Sequence, residues 1–436
     1  MKNVLMLAYH YPPLADVGSL RVVGFSKYLE EYGWNPIILS VKNPDTSLCK
    51  IGNEKPPEGV TVERSRALFN LNRFSYKVNG VLKLLCSLGG KRLDKNIAQD
   101  LLCIPDSYWG WILPTLLRAI KLVDKYNIDC VYATSKPLSA AVAAALLKNV
   151  RNRPLILDFR DPSSFPRLLF NEGVSGDFNR KMVAAIERYV LKRADKFIVN
   201  STRTGEMYSD LYPFLKGRTS VIYNGFSHNQ EIPELTKGFS RFTIAYTGNF
   251  YYDMASSPAD LFFAALERVV NSNAIPRDDI RFIYLGSIPK RNFWLERLGK
   301  KYNVMDLIIT PGRVSREESL LTVASSAMVL LRQVPPMITT KVFECLREGT
   351  PALALVPEGE VAGLLKKYSE NSIVVSSNQV EDVAGALVDA YHRWREGKLK
   401  KSVSAEYVER FNKRSLTKNL AHILDELSAR PDNGNR

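Results

Sequence analysis

The chain has 436 residues, 45% of them hydrophobic and 24% charged, with a formal net charge of +15. That length exceeds what one ordinary hydrophobic core organises, so two domains are expected, and the composition excludes a disordered or fibrous chain. The positive excess calls for an anionic partner: nucleic acid, an acidic membrane surface or a phosphorylated substrate.

Residues 3–9 are apolar, but the run is too short for a signal-peptide core and is followed by His10-Tyr11-Pro12-Pro13. It reads as a first β-strand. A loop with Gly18 follows, then an amphipathic helix over 19–32 that opens at Ser19 and stops at Gly33. Gly18 would let backbone approach a diphosphate, with the helix N-terminus facing it. A plain turn into a surface helix is the other reading. Neither a G-x-G-x-x-G nor a G-x-x-x-x-G-K-[ST] motif is present.

Residues 36–41 form the next predicted strand, and residues 60–127 interrupt the alternation. Within them Phe74, Val78, Val81, Leu82, Leu85 and Leu88 recur at helical spacing, near Lys77, Lys83, Lys91, Arg92 and Lys95. Two readings stand for 74–95: a packed helix with a solvated basic face, or an amphipathic helix on an anionic membrane. Strands at 129–133, 155–158 and 196–200 then alternate with helices at 137–147 and 178–193. This βαβ rhythm requires a parallel sheet covered on both faces.

The polar segment 229–239 reads as a linker between an N-terminal domain (1–228) and a C-terminal domain (240–404). Strands are predicted at 243–247, 281–285, 307–310, 327–331, 352–356 and 372–375. A final helix over 405–430 is expected to pack back towards the first domain, and residues 431–436 to form a disordered tail. No apolar run approaches ~20 residues, so no transmembrane helix is expected.

Between the fourth and fifth of these C-terminal strands lies a short helix with Lys341 at its start and Glu344 one turn on, on the same face. The helix N-terminus and Lys341 suit a phosphate, and Glu344 suits a sugar hydroxyl. Asp158, Arg160 and Asp161 follow a first-domain strand, where α/β sites sit. Either Asp161 orients or deprotonates an acceptor with Arg160 as its partner, or the three make a structural salt bridge. His10 ends the first strand, and Asp106 and Trp111 are candidates for an acceptor groove; loop and core packing are their alternatives. The five cysteines contain no C-x-x-C pair and the four histidines are scattered. This fits a reducing cytoplasm and no metal centre.

These features together resemble a GT-B glycosyltransferase, and more narrowly the retaining glycosyltransferase family 4 group of bacterial surface-polysaccharide enzymes. Leu157-Asp158-Phe159-Arg160-Asp161-Pro162 is similar to that group's D-F-R-D-P segment. Val221-Ile222-Tyr223-Asn224-Gly225-Phe226 resembles its V-I-x-N-G segment, and Tyr246-Thr247-Gly248-Asn249 its Y-x-G turn. Lys341 to Pro351 resembles its K-[LV]-F-E-Y-L-x-x-G-x-P helix.

The resemblance implies two Rossmann-like doubly wound α/β domains facing a cleft. A nucleoside-diphosphate sugar, UDP-linked, would be held without a metal or other cofactor, and its sugar passed with retention to a glycan or lipid-linked acceptor. Lys341 and the Gly18 loop would neutralise the diphosphate, with Gly248, Asn249 and Val342 beside them. Glu344 would hold the ribose, and Gly312, Arg313 and Val314 the base. His10, Asp106, Trp111 and Asp158 would face the acceptor, with Arg160, Asp161 and Lys341 catalytic. The protein would be cytoplasmic and peripheral to the inner face of the plasma membrane, without a nucleic-acid partner.

Two departures stand out. Pro336, not Glu, lies eight residues before Glu344, and no basic residue falls between Gly248 and Glu267, where the family carries an Arg/Lys pair. They leave open a non-catalytic GT-B scaffold and, behind it, a sugar-nucleotide epimerase. Arg332 is the candidate replacement cation.

Overall fold

Apolar runs without alternation become strands buried on both faces, and here they build two parallel sheets. The computed structural model describes the chain apart from residues 15–17, 50, 70, 89–96, 161–176, 228–237, 249–257, 287–293, 313, 333–337 and 430–436. The expected linker (all but 238–239) and tail therefore lie outside the described residues.

The first sheet comprises β1 (Lys2–Leu7), β2 (Trp34–Val41), β3 (Thr61–Ser65), β4 (Cys130–Ser135), β5 (Leu155–Phe159), β6 (Lys196–Val199) and β7 (Thr219–Val221). Their order is β3-β2-β1-β4-β5-β6-β7. Side chains alternate across each strand. Leu5 and Leu7 enter one core layer with Leu39 and Leu157. Val4 and Met6 enter the other with Ile38, Phe25 and Leu420. The edge strands β3 and β7 add to the strands expected from the sequence. Each has one neighbour and is only partly buried, so neither needs a long apolar run.

The second sheet comprises β8 (Phe242–Thr247), β9 (Ile280–Leu285), β10 (Ile308–Ile309), β11 (Met328–Arg332), β12 (Ala352–Leu355) and β13 (Ile373–Val375), in the order β10-β9-β8-β11-β12-β13. Its core gathers Phe242, Ile244, Phe262, Phe282 and Trp294. In both sheets the chain winds outward from a first strand, then returns to that strand's other side. The reversal, between β1 and β4 and between β8 and β11, is where doubly wound sheets leave a crevice at their carboxyl ends.

Residues 1–223 and 413–436 form one compact unit, and residues 224–412 the other. The single final helix expected over 405–430 is instead two. Ala405–Phe411 belongs to the second unit, Asn412 adopts extended backbone, and Lys413–Ser428 belongs to the first. In the first unit Leu416, Leu420, Leu424 and Leu427 lie on one face of Lys413–Ser428 and cover the Val4 and Met6 side of the sheet. No helix among the described residues is long and apolar enough to cross a membrane. None of the five cysteines is in a disulfide, and four of them are buried.

Candidate functional site

The helix Thr340–Glu348 begins at Thr339, whose backbone is extended (φ −78°, ψ 159°), and ends at Gly349 in the left-handed region (φ +64°). Gly349 is required twice: by its φ, and because a Cβ there would lie 2.8 Å from the Ser402 carbonyl oxygen. The helix is set by neighbours in its own unit. The Asn224 amide donates to the Ile338 carbonyl at 2.9 Å. The Tyr407 hydroxyl donates to the Phe343 carbonyl at 2.6 Å, and Tyr407 stacks on Phe226 with centroids 5.5 Å apart. The Asn224-Gly225-Phe226 segment thus fixes the angle of the Lys341 helix.

Val342, Phe343, Cys345 and Leu346 are buried, leaving Lys341 and Glu344 on the partly exposed side. Lys341 reaches the end of β8. Its Nζ lies 3.5 Å from the Tyr246 hydroxyl and 4.7 Å from the centre of the Tyr246 ring. A Cβ on Gly248 would stand 2.8 Å from both Cε and Nζ of Lys341, and Gly248 has φ +82°, so no other residue fits there unstrained. The next strand makes the same demand. A Cβ on Gly286 would come within 2.2 Å of the Gly248 carbonyl oxygen. The Gly248 N–H donates to the Leu285 carbonyl at 2.8 Å.

Burial pulls the Lys341 ammonium from its usual 10.5 down to about 8; Glu344 opposes this fall and Arg332 adds to it. Arg332 ends β11 and is itself shifted down by burial, with Tyr246 opposing. Two cations therefore converge at the switch point between β8 and β11, with Tyr246 beside both. Glu344 is not an isolated acceptor for a hydroxyl. Arg316 Nη2 binds its Oε1 at 2.7 Å. Arg316 is the first residue of a helix capped by Ser315 and Glu318, which takes up the chain just after Gly312 (φ +85°) and Val314. The sequence reading named Gly312 and Val314 and missed Arg316 and Gly286, whose only signal was position after a strand or loop. Arg313 and Asn249 lie outside the described residues. Val342 departs from its expected donor contact: its side chain is in the core and its N–H turns back to the Thr339 carbonyl.

In the first unit, Gly18 lies against His10 and Arg160. A Cβ there would be 3.3 Å from His10 Cβ and Cγ and 3.4 Å from Arg160 Nη1. Three expected site residues thus meet beside the switch point of the first sheet. His10 is buried, with Nδ1 3.8 Å from Cys49 Sγ and its ring centre 5.8 Å from that of Tyr108. Asp161 lies outside the described residues.

Three acceptor expectations are corrected. Asp158 is fully buried and bidentate with Arg21, Nε to Oδ2 at 2.6 Å and Nη2 to Oδ1 at 3.1 Å, and it also accepts from the Tyr132 hydroxyl. Arg21 continues to the Tyr223 carbonyl at 2.8 Å. This polar core cluster holds the helix Leu20–Tyr28 to the sheet and has no surface left for an acceptor. Trp111 is fully buried, edge-on to Tyr9 at 5.2 Å. Asp106 caps the helix Leu138–Arg151, accepting from Ser139 N–H at 2.9 Å, Ser139 Oγ at 2.6 Å and Tyr108 N–H at 2.9 Å. Burial still raises its carboxyl, and those hydrogen bonds oppose the rise. Among the described residues no group of three or more His, Cys, Asp or Glu side chains is placed to hold a metal.

Residues 83–230 match the model of Glycosyltransferase Family 4. Over those residues the chain resembles family 4 glycosyltransferases. Solved structures align along nearly its whole length and share its GT-B fold. Sucrose-phosphate synthase from Thermosynechococcus elongatus superposes with a TM-score of 0.66 at 15% identity, over 98% of this chain and 100% of that one. HepE from Anabaena, in complex with UDP, gives 0.62 at 14%, over 98% and 100%. The UDP-forming α,α-trehalose-phosphate synthase from Burkholderia xenovorans, in complex with glucose-6-phosphate, gives 0.62 at 12%, over 98% and 100%. No curated protein matches the chain.

Proposed function

We propose that this protein is a glycosyltransferase that takes its sugar from a UDP-linked donor bound in the second unit. It would pass that sugar, with retention, to a glycan or lipid-linked glycan acceptor in polysaccharide biosynthesis. The observation that carries the donor assignment is the convergence of Lys341 and Arg332 on Tyr246, with Lys341 against the Gly248 turn. Two cations beside a turn whose glycines admit close backbone approach suit a diphosphate better than any neutral ligand. HepE holds UDP on the same fold, and the trehalose-phosphate synthase is UDP-forming, which supports uridine as the base.

In the transfer, the bond between the sugar's anomeric carbon and the diphosphate oxygen breaks. The nucleoside diphosphate leaves with the electron pair. The acceptor oxygen forms the new glycosidic bond and releases its proton. Lys341 and Arg332 stabilise the charge that grows on the leaving diphosphate, a role for fixed cations rather than a metal or cofactor. Glu344, held by Arg316, is assigned to the ribose hydroxyls, and Gly312, Arg313 and Val314 to the base. Asn249 is assigned to the donor beside Gly248. Arg160 and Asp161, with His10, are assigned to the acceptor and its proton.

Arg332 also weighs against the scaffold reading. It provides a second cation although none lies between Gly248 and Glu267. The work would take place in the cytoplasm, at the inner face of the plasma membrane. Calorimetric titration with UDP, GDP, ADP and CDP tests the donor assignment, with Lys341→Ala as control. Tight binding of UDP that the variant loses is expected. Absence of binding by all four would return the chain to the scaffold reading.

A further inference from the structure

The exposed large apolar side chains are unevenly spread. Of twenty-three among the described residues, twelve fall between Leu68 and Leu117, which singles out that stretch of the first unit. At its centre the helix Leu71–Leu88 is folded with its polar side inward. Asn72, Ser75 and Asn79 are at most 4% exposed, whereas Phe74, Val81, Leu84 and Leu85 are 55–61% exposed and Leu88 is 78% exposed.

The inward polar residues are in use. Asn72 Nδ2 donates to Ser47 Oγ at 2.9 Å, Asn79 Oδ1 accepts from the Ala98 N–H at 3.0 Å, and Ser75 Oγ donates to the Asn72 carbonyl at 2.9 Å. These bonds clamp the helix to the 45–49 loop and to the helix Ile97–Leu102, which itself exposes Leu101. An ordinary surface helix does the opposite, burying its apolar stripe.

The outward residues share one face. Phe74, Val81 and Leu88 repeat every seventh residue, and Leu84 and Leu85 fill the gaps, an arc of about 100°. Lys77 lies within the same arc and is exposed, whereas Lys83, exposed too, lies about 100° outside it. The helix contains no acidic residue.

We propose that this face docks on an anionic lipid bilayer, the apolar side chains entering the acyl boundary and Lys77 meeting lipid phosphates. The charge pattern decides between a bilayer and a second copy of the chain. Two such faces brought together would oppose lysine to lysine with no carboxylate on either helix to pair them. A bilayer supplies both the apolar layer and the negative charge, and a lysine inside an apolar arc extends its stem to reach the phosphate level. The inference goes beyond the donor assignment and stands without it.

The test is co-sedimentation of the full chain with vesicles of phosphatidylcholine alone and of phosphatidylcholine with phosphatidylglycerol. Binding to the anionic vesicles, weakened by salt, is expected. Val81→Glu with Leu88→Glu should reduce it tenfold or more. Lys77→Gln should reduce it about fivefold. Lys77→Gln changes only an exposed charge, so it reports even where the glutamate pair disturbs folding. UDP titration of each variant should match the parent, which separates failure of this inference from failure of the donor assignment. Equal binding to both vesicle types, or variants that bind as the parent does, would overturn it. So would concentration-dependent self-association lost in Val81→Glu/Leu88→Glu without vesicle binding, which would assign the face to a second copy.

Discussion

The Lys341 ammonium lies 3.5 Å from the Tyr246 hydroxyl and 4.7 Å from the centre of its ring, at the end of β8 where the second sheet reverses direction. The tyrosine offers the cation an electron-rich face and one hydrogen-bond acceptor, far less than the water it has lost. That shortfall, with Arg332 nearby, draws the pKa down, and a diphosphate would make it good. Lys341→Ala should therefore weaken UDP binding by about 1.5–3 kcal/mol, the range for a charge-assisted contact, with the melting temperature unchanged or raised. Calorimetry and thermal denaturation check both halves.

The same shift gives pH a signature. With a native pKa of about 8 against the usual 10.5, the folded protein binds fewer protons than the unfolded chain across that interval. Stability should rise with pH there through this group. Diphosphate affinity should move the other way, falling above about pH 8 as the free site loses its charge. Lys341→Arg, charged throughout, should flatten both profiles. Parallel calorimetric and denaturation series from pH 7 to pH 10 read the two slopes; slopes of the same sign would rule out Lys341 as their common source.

Glu344→Gln removes the carboxylate that holds Arg316. The pair is partly exposed, so its own energy is small, about 0.2–1 kcal/mol. If the pair positions ribose, Glu344→Gln and Arg316→Ala should each raise the UDP dissociation constant and the double variant should add little more. Independent, additive losses would show that the two residues act separately.

Gly286→Ala would push a methyl group into the Gly248 carbonyl, and Gly248→Ala would force a side chain at φ +82° against Lys341. Each should cost about 1–3 kcal/mol of stability and weaken UDP binding. Denaturant titration beside calorimetry measures both. Full stability with lost binding would place the effect on the ligand's own space.

Asp158→Ala leaves Arg21 charged and buried without its carboxylate. A loss of about 3–5 kcal/mol of folding stability is expected, with the Michaelis constant for acceptor unchanged in the protein that folds. A higher Michaelis constant at unchanged stability would restore Asp158 to the acceptor.

Much of this protein is legible in its sequence because parallel strands buried on both faces read as apolar runs and helices stop where they must. Leu5, Leu39, Leu157 and Leu353 belong to such runs, and Gly33 and Gly349 mark helix ends by requiring positive φ. Lys341 and Glu344 fall one turn apart on one helix, so their common side follows from local periodicity alone. What the sequence could not give is partnership across the sheet. Arg21 and Asp158 are 137 residues apart, and their meeting turns a candidate acceptor group into core. Arg316 meets Glu344, and Gly286 meets Gly248, only because strand order brings separate loops to one edge. The helix Leu71–Leu88 makes the same point. Its sequence shows a stripe, but which side is buried is settled by Ser47 and Ala98, whose hydrogen bonds claim the polar face and leave the apolar one outward.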